Sequence, residues 1–239
     1  MMASFNTSKA SMPFLSKDLF FVHIPKTGGM TIQKSFKYEH PNFLKKYPVP
    51  EGYQSLAHNW EAPDKKRYVL SHLTVQQIID LGWISKSKFK SISTFSIVRN
   101  PWDRVCSLYY THGQSNRKQR SFKQFLTEIK ESAELCKKGI SLPIFTKEIS
   151  NMACPQKLLL SYNGEILVKD IYKFEEHPKV YDMIKEKLNR DIHVGVENKT
   201  KGSRPKHYST LYTEPYQVDL VGEIFKEDID YFGYTYESI

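Results

Sequence analysis

The sequence has little of what marks several protein classes. It carries three cysteines, Cys106, Cys136 and Cys154, with no CxxC pair. That excludes a disulfide framework and a thiolate zinc site, and the odd count is expected of free thiols in a reducing compartment. Glycine (11) and proline (12) are too few for a collagen-like or low-complexity chain. No apolar run approaches the ~20 residues of a membrane-spanning helix, and the first 18 residues lack the continuous apolar stretch of a secretory signal. A cytoplasmic, or otherwise soluble and unanchored, protein is the expectation. No His, Cys or carboxylate cluster has metal-ligand spacing, so no metal is expected.

Positive charge is abundant. Lys and Arg number 35 against 26 Asp and Glu, a net charge of +9 that favours an anionic partner without choosing among nucleic acid, phosphorylated cofactor and acidic glycan. RNA-recognition signatures and zinc fingers are absent, and no nucleic-acid partner is expected. With 40% apolar residues, the chain has material for one globular domain, placed at residues 19–239 behind a poorly ordered extension over 1–18.

Strands and helices alternate along it. Leu19–Ile24 (LFFVHI) is a short apolar run stopped by Pro25 and two glycines, the pattern of a buried strand. A helix is compatible with Met30–Tyr38, an irregular excursion with Glu39–Lys66, a second strand with Tyr68–Ser71 and a short helix with Val75–Leu81. Ser91–Val98 is the third strand. Asn100 then suits an N-cap, Pro101 the first helical position and Asp103 the positive end of a helix running to about His112. Its spacing puts Trp102, Val105, Cys106 and Tyr109 on an apolar face, with Asn100, Asp103, Arg104 and Ser107 opposite. Farther on come a basic loop at Gly113–Arg120, a helix at Ser121–Glu131, a strand at Ile171–Phe174 and a helix at about Pro178–Leu188. A basic loop at Lys199–Tyr208 precedes one final helix, Glu214–Phe232, stopped by Gly233. The alternation predicts an α/β fold, a central parallel sheet flanked by helices, whose ligand crevice lies beyond the carboxyl ends of the strands.

Two motifs sit at such ends. A strand turning through Lys26-Thr27-Gly28-Gly29 into a helix offers successive backbone N–H groups to a phosphate or sulfate, although the turn alone would also serve as a tight bend with an exposed lysine. It is not GxxxxGK[ST], since Lys26 and Thr27 precede the glycines. Eight positions separate Arg99 from Ser107 across the next strand-to-helix junction, where a guanidinium fork and a hydroxyl would suit a phosphate monoester; a capped helix with a surface ion pair is the plainer reading.

FFVHIPKTGG followed by FSIVRNPWDRVCSLYY resembles the two cofactor-binding signatures of the sulfotransferase superfamily, nearest the carbohydrate sulfotransferases. The likeness continues through VLSHL, YKFEEHPKVYDMI and the C-terminal RPKHYSTLYTEPYQVDLVGEIFKEDIDYFGY. It implies a P-loop-like nucleotide-binding architecture and an enzyme using 3′-phosphoadenosine 5′-phosphosulfate, with Lys26, Thr27, Gly28, Gly29, Met30 and Thr31 on the 5′-phosphosulfate and Arg99 and Ser107 on the 3′-phosphate. Met30 departs from the Thr or Ser of many relatives. The implied acceptor is a hydroxyl-bearing molecule, a glycan; a small alcohol or phenol, and a non-catalytic polyanion- or nucleotide-binding module, are the alternatives. Lys26 would be the cation on the leaving side and His72 the base, since imidazole titrates near neutral pH and His72 follows the second strand. Some relatives carry two histidines there, one residue apart, where this chain has Leu70 at the first position. His23, in an apolar strand, reads as buried scaffolding.

Overall fold

Leu19–Val22 (β2) and Ser93–Val98 (β5) form because both are short, apolar and rich in aromatic or β-branched residues. A computed structural model describes residues 14–16, 19–29, 31–32, 59–61, 67–69, 72–82, 84–115, 118–141, 151–189 and 204–239. Here β2 pairs in parallel with β5, and β5 with Asp170–Lys173 (β10). An antiparallel edge strand, Phe14–Ser16 (β1), completes the order β1-β2-β5-β10. The sheet is therefore parallel except at this edge, and the edge strand comes from the stretch set apart above as an extension. Residues 1–13 lie outside the described residues.

Alternation along β2 assigns its side chains to two layers. Leu19 and Phe21 pack with Phe95, Ile97, Val180 and Ile184, on the side of helix His177–Leu188. Phe20 and Val22 pack with Val75, Ile78, Phe89 and Leu159 on the other. Burial on both faces explains the unbroken apolar run.

The second predicted strand is displaced. Arg67–Val69 (β4) pairs antiparallel with Asn59–Glu61 (β3) in a two-stranded sheet of its own, so Tyr68 and Val69 do not join the central sheet; Leu70 and Ser71 of the expected strand lie outside the described residues. Two further small pairs, Gln114–Ser115 with Lys118–Gln119 (β6 and β7) and Ser161–Tyr162 with Glu165–Ile166 (β8 and β9), stand where no strand was expected.

Helices Val75–Asp80 (α1), Lys86–Ser91 (α2), Pro101–Leu108 (α3) and Phe122–Lys137 (α4) follow their caps. The Asn100 side chain accepts from the Trp102 N–H at 3.1 Å, and Ser121 and Gln124 form a reciprocal capping box. Gln156–Leu159 (α5) and His177–Leu188 (α6) lead to the largest departure in the helices. The predicted final helix is two, Pro215–Ile224 (α7) and Lys226–Phe232 (α8), broken at Phe225, with Gly233 at φ +65° as the expected stop. The break lets Asp228 reach α5. Its carboxylate, buried and raised in pKa first by desolvation, accepts from the Gln156 and Lys157 N–H groups at 2.7 and 2.8 Å, capping α5 from 71 and 72 residues away.

Among the described residues no helix is long and apolar enough to cross a membrane. The three cysteines are free and buried.

Candidate active site

The turn after β2 is held in a sparsely populated conformation. Lys26 lies at φ +72° and Gly28 at +82°; glycine adopts this freely, whereas a lysine there costs ~1–2 kcal/mol. Four hydrogen bonds fix it. The Thr27 hydroxyl donates to the Ile24 C=O at 2.8 Å, Arg104 Nε to the Pro25 C=O at 3.1 Å, Arg99 Nη1 to the Lys26 C=O at 2.9 Å, and the Thr31 N–H to the Gly28 C=O at 3.0 Å. Strain maintained in this way is a feature of ligand clamps. The Thr27 hydroxyl serves the turn. Helical geometry opens at Gly29 and includes Thr31; Met30 and residues 33–58 lie outside the described residues.

Gly29 is required by its neighbour. A Cβ there would overlap Cδ2 and Nε2 of His23, a ring only 4% exposed and stacked on Phe21 at 5.5 Å. Gly29→Ala should therefore destabilise the fold by about 1–3 kcal/mol and weaken nucleotide binding in the same variant. Urea unfolding and calorimetric titration measure the two, and a stable variant with unaltered binding would contradict this packing.

The second motif meets the first directly. Arg99, 5% exposed, also clasps Asp103 through Nε (2.7 Å) and Nη2 (2.6 Å) and lies over the Phe174 ring at 4.2 Å. With the bond to the Lys26 carbonyl, 73 residues away, these contacts use three of the guanidinium's five N–H groups. Arg204, from the C-terminal basic loop, pairs with the other Asp103 oxygen. Residues 199–203 of that loop lie outside the described residues.

Contrary to the two-faced helix expected from spacing, α3 is buried nearly all round. Arg104 and Ser107 are 1% and 3% exposed. Arg104 makes its bonds not to an acid but to the carbonyls of Pro25, Met152 and Cys154, the latter two at 2.8 and 3.0 Å. Trp102 and Tyr109 are core residues, as expected.

Beyond α3 the helix widens into a π turn, Tyr109–Gly113, a local irregularity frequent at functional sites. It carries Thr111, whose hydroxyl donates to the Ser107 C=O and accepts from Lys26 Nζ, both at 2.8 Å. Thr111 thus joins the lysine to the turn bearing Ser107. No sequence signal marked it, because a π turn displaces residues from helical spacing.

The electrostatics are those of an anion site. Burial first, then the charges of Arg99 and Arg204, push Lys26 down to about 8. Burial, then the Lys26 charge, push His23 down to about 3 and, with Arg120, His112 to about 4. Lys26, Arg99 and Arg204 crowd one another, with Asp103 bridging the two arginines, so an anion placed among them would relieve their repulsion. Cations, backbone N–H groups and a hydroxyl form a donor set fitted to phosphate or sulfate. No group of three or more potential metal ligands of the His, Cys, Asp or Glu type occurs among the described residues.

His72 lies beside this turn but not at the end of a central-sheet strand. It precedes α1, which is opened by a Thr74–Gln77 capping box. Its ring meets the His23 ring edge to face at 5.1 Å, and His23 in turn packs on Gly29. Its backbone C=O accepts from Asn151 at 2.8 Å. Asn151 and Gln156 carry no local motif, and sequence reading passed over them.

Searches of curated proteins and of solved structures each gave no significant match. The model of the Sulfotransferase family matches residues 15–235, from the edge strand to the C-terminal tail, and takes in both motifs. The chain belongs to the Sulfotransferase family and is an enzyme of sulfuryl transfer.

Proposed function

We propose that the enzyme moves a sulfuryl group from 3′-phosphoadenosine 5′-phosphosulfate, the usual donor of its family, to a carbohydrate hydroxyl, with His72 as base and Lys26 at the leaving group. The observation that carries this reading is the 2.9 Å hydrogen bond from Arg99 to the Lys26 carbonyl, which brings two anion-binding motifs into contact. A nucleotide with phosphate-type groups at both 3′ and 5′ positions matches two such motifs set side by side. When bound, that donor supplies a sulfuryl group on a phosphate leaving group.

In this reading the turn from Lys26 to Thr31 holds the 5′ end, and Arg99 and Ser107 hold the 3′-phosphate. A ring nitrogen of His72 takes the acceptor proton as the hydroxyl oxygen bonds to sulfur. The sulfur–oxygen bond to phosphate breaks, and Lys26 neutralises the charge left on that oxygen. His23 is the weaker candidate base, since a group held at about 3 has little basicity at neutral pH. The carbohydrate acceptor rests on the likeness of the motifs.

A panel of unsulfated oligosaccharides, aliphatic alcohols and phenols, assayed for release of 3′-phosphoadenosine 5′-phosphate, tests the reading. Turnover on oligosaccharides is expected. Turnover on phenols or alcohols alone would move the acceptor class, and none on any member would count against the reading.

The lysine adds a pH signature. Lys26 keeps its proton below about pH 8 and loses it above, while a neighbouring anion favours the charged form. Binding of 3′-phosphoadenosine 5′-phosphate should therefore take up protons increasingly as pH rises through 8, with affinity falling over the same range. Calorimetry in buffers of different ionisation enthalpy measures this. Uptake that is flat through this range, or that persists in Lys26→Ala, would refute the assignment.

A further inference from the structure

The elements that carry His72, Lys26 and Arg99 are far apart in sequence, yet one short segment bonds to His72 and Arg99 directly and reaches the Lys26 turn through Arg104. Asn151, 5% exposed and at φ +50°, donates through its amide nitrogen to the His72 C=O and to Gln77 Oε1, both at 2.8 Å. That Gln77 oxygen also accepts from the Thr74 N–H at 3.0 Å, so the His72 backbone is tied to the opening of α1. The carbonyls of Met152 and Cys154 hold Arg104, whose Nε holds the Pro25 carbonyl next to Lys26. Gln156, fully buried, grips Arg99 from both sides: its Oε1 accepts from the Arg99 N–H at 2.9 Å, and its Nε2 donates to the Arg99 C=O at 2.8 Å. The Asp228 carboxylate fixes Gln156 from behind.

We propose that Asn151–Gln156 is a positioning bracket for the active site, in which Asn151 sets the placement of His72 and Gln156 that of Arg99. Both amides bind backbone, so they fix where each residue starts while leaving the imidazole and guanidinium to other partners. The proposal rests on the roles given above to His72 and Arg99. Its physical basis is the steep dependence of transfer rates on geometry, where a displacement of ~1 Å costs on the order of 10²-fold. A segment serving only the fold would, when altered, lower stability without separating rate from affinity. The bracket separates them, because its two ends hold different groups.

The variants are Asn151→Gly, which keeps the left-handed backbone and loses the amide, and Gln156→Met, which keeps the bulk and loses both hydrogen bonds. Three quantities are read on the full chain: the single-turnover rate at saturating donor and acceptor, the Kd for 3′-phosphoadenosine 5′-phosphate, and the His72 ring resonance in histidine-labelled protein, assigned by its loss in His72→Gln. Asn151→Gly is expected to slow turnover by about tenfold or more, shift the His72 resonance and leave Kd within about twofold. Gln156→Met is expected to raise Kd by about tenfold, equivalent to ~1.4 kcal/mol, with the saturated rate and the His72 resonance little changed. If Gln156→Met does not fold, Gln156→Glu, which keeps the acceptor for the Arg99 N–H and loses the donor to its C=O, carries the same expectation.

Equal losses of rate and affinity in both variants, or lowered unfolding temperatures alone, would overturn the bracket. A wild type inactive on every acceptor would instead overturn the proposed function. The resonance and calorimetric arms would then judge the bracket by themselves: a shift confined to Asn151→Gly and weaker binding confined to the Gln156 variant support it, and any other pattern rejects it.

Discussion

Lys26→Ala is expected to slow sulfuryl transfer by about 10²–10³-fold, the usual cost of deleting one donor aimed at developing charge. The same substitution should weaken binding of 3′-phosphoadenosine 5′-phosphate far less, since the backbone N–H groups of the turn and the guanidinium of Arg99 remain. The positive φ of Lys26 supplies an internal control. Alanine inherits the left-handed strain and glycine does not, so Lys26→Gly should be more stable than Lys26→Ala by about 1 kcal/mol while being equally slow. Rapid-quench turnover and urea unfolding read the two effects separately. A lysine that merely decorated a tight turn would give variants with undiminished turnover.

His72→Gln should lower turnover by about 10²–10⁴-fold, the range for loss of a positioned base, with nucleotide affinity within about twofold. Arg99→Ala, by contrast, should chiefly weaken nucleotide binding, because its guanidinium meets the turn and Asp103, not His72. The two substitutions thus split Kd from rate in opposite directions. Loss of less than about fivefold in rate for His72→Gln would place the base elsewhere.

Local chemistry made much of this architecture readable. The apolar runs of β2 and β5 gave two central strands, Asn100 and Pro101 announced the start of α3, and Gly233 marked the end of α8. What escaped was decided by distant partners. The run Tyr68–Ser71 reads as a core strand, but Tyr68 and Val69 belong to β4, which pairs with β3, a choice that apolar content cannot reveal. The period of the last helix runs unbroken through Phe225, yet the chain turns there and Asp228 caps α5. Arg104 and Ser107 are polar by type and sit on the polar stripe of α3, but carbonyls and packing from other segments enclose that stripe.

The candidate site divides in the same way. Lys26, the glycines, Arg99 and Ser107 were legible as candidates, because anion binding at strand-to-helix turns uses a restricted vocabulary of residues at fixed offsets. Thr111, Asn151 and Gln156 were not, since each acts through one or two side-chain hydrogen bonds to groups 57 or more positions away, apart from the Thr111 bond to Ser107 within its own helix.

The central claim is that one nucleotide is gripped at both ends by motifs distant in sequence. A crystal structure of the protein with 3′-phosphoadenosine 5′-phosphate tests it most directly. The 5′-phosphate is predicted to lie on the N–H groups between Lys26 and Thr31, with the 3′-phosphate within hydrogen-bonding distance of Arg99 and the Ser107 hydroxyl. A nucleotide whose 3′-phosphate touches neither residue would contradict the account.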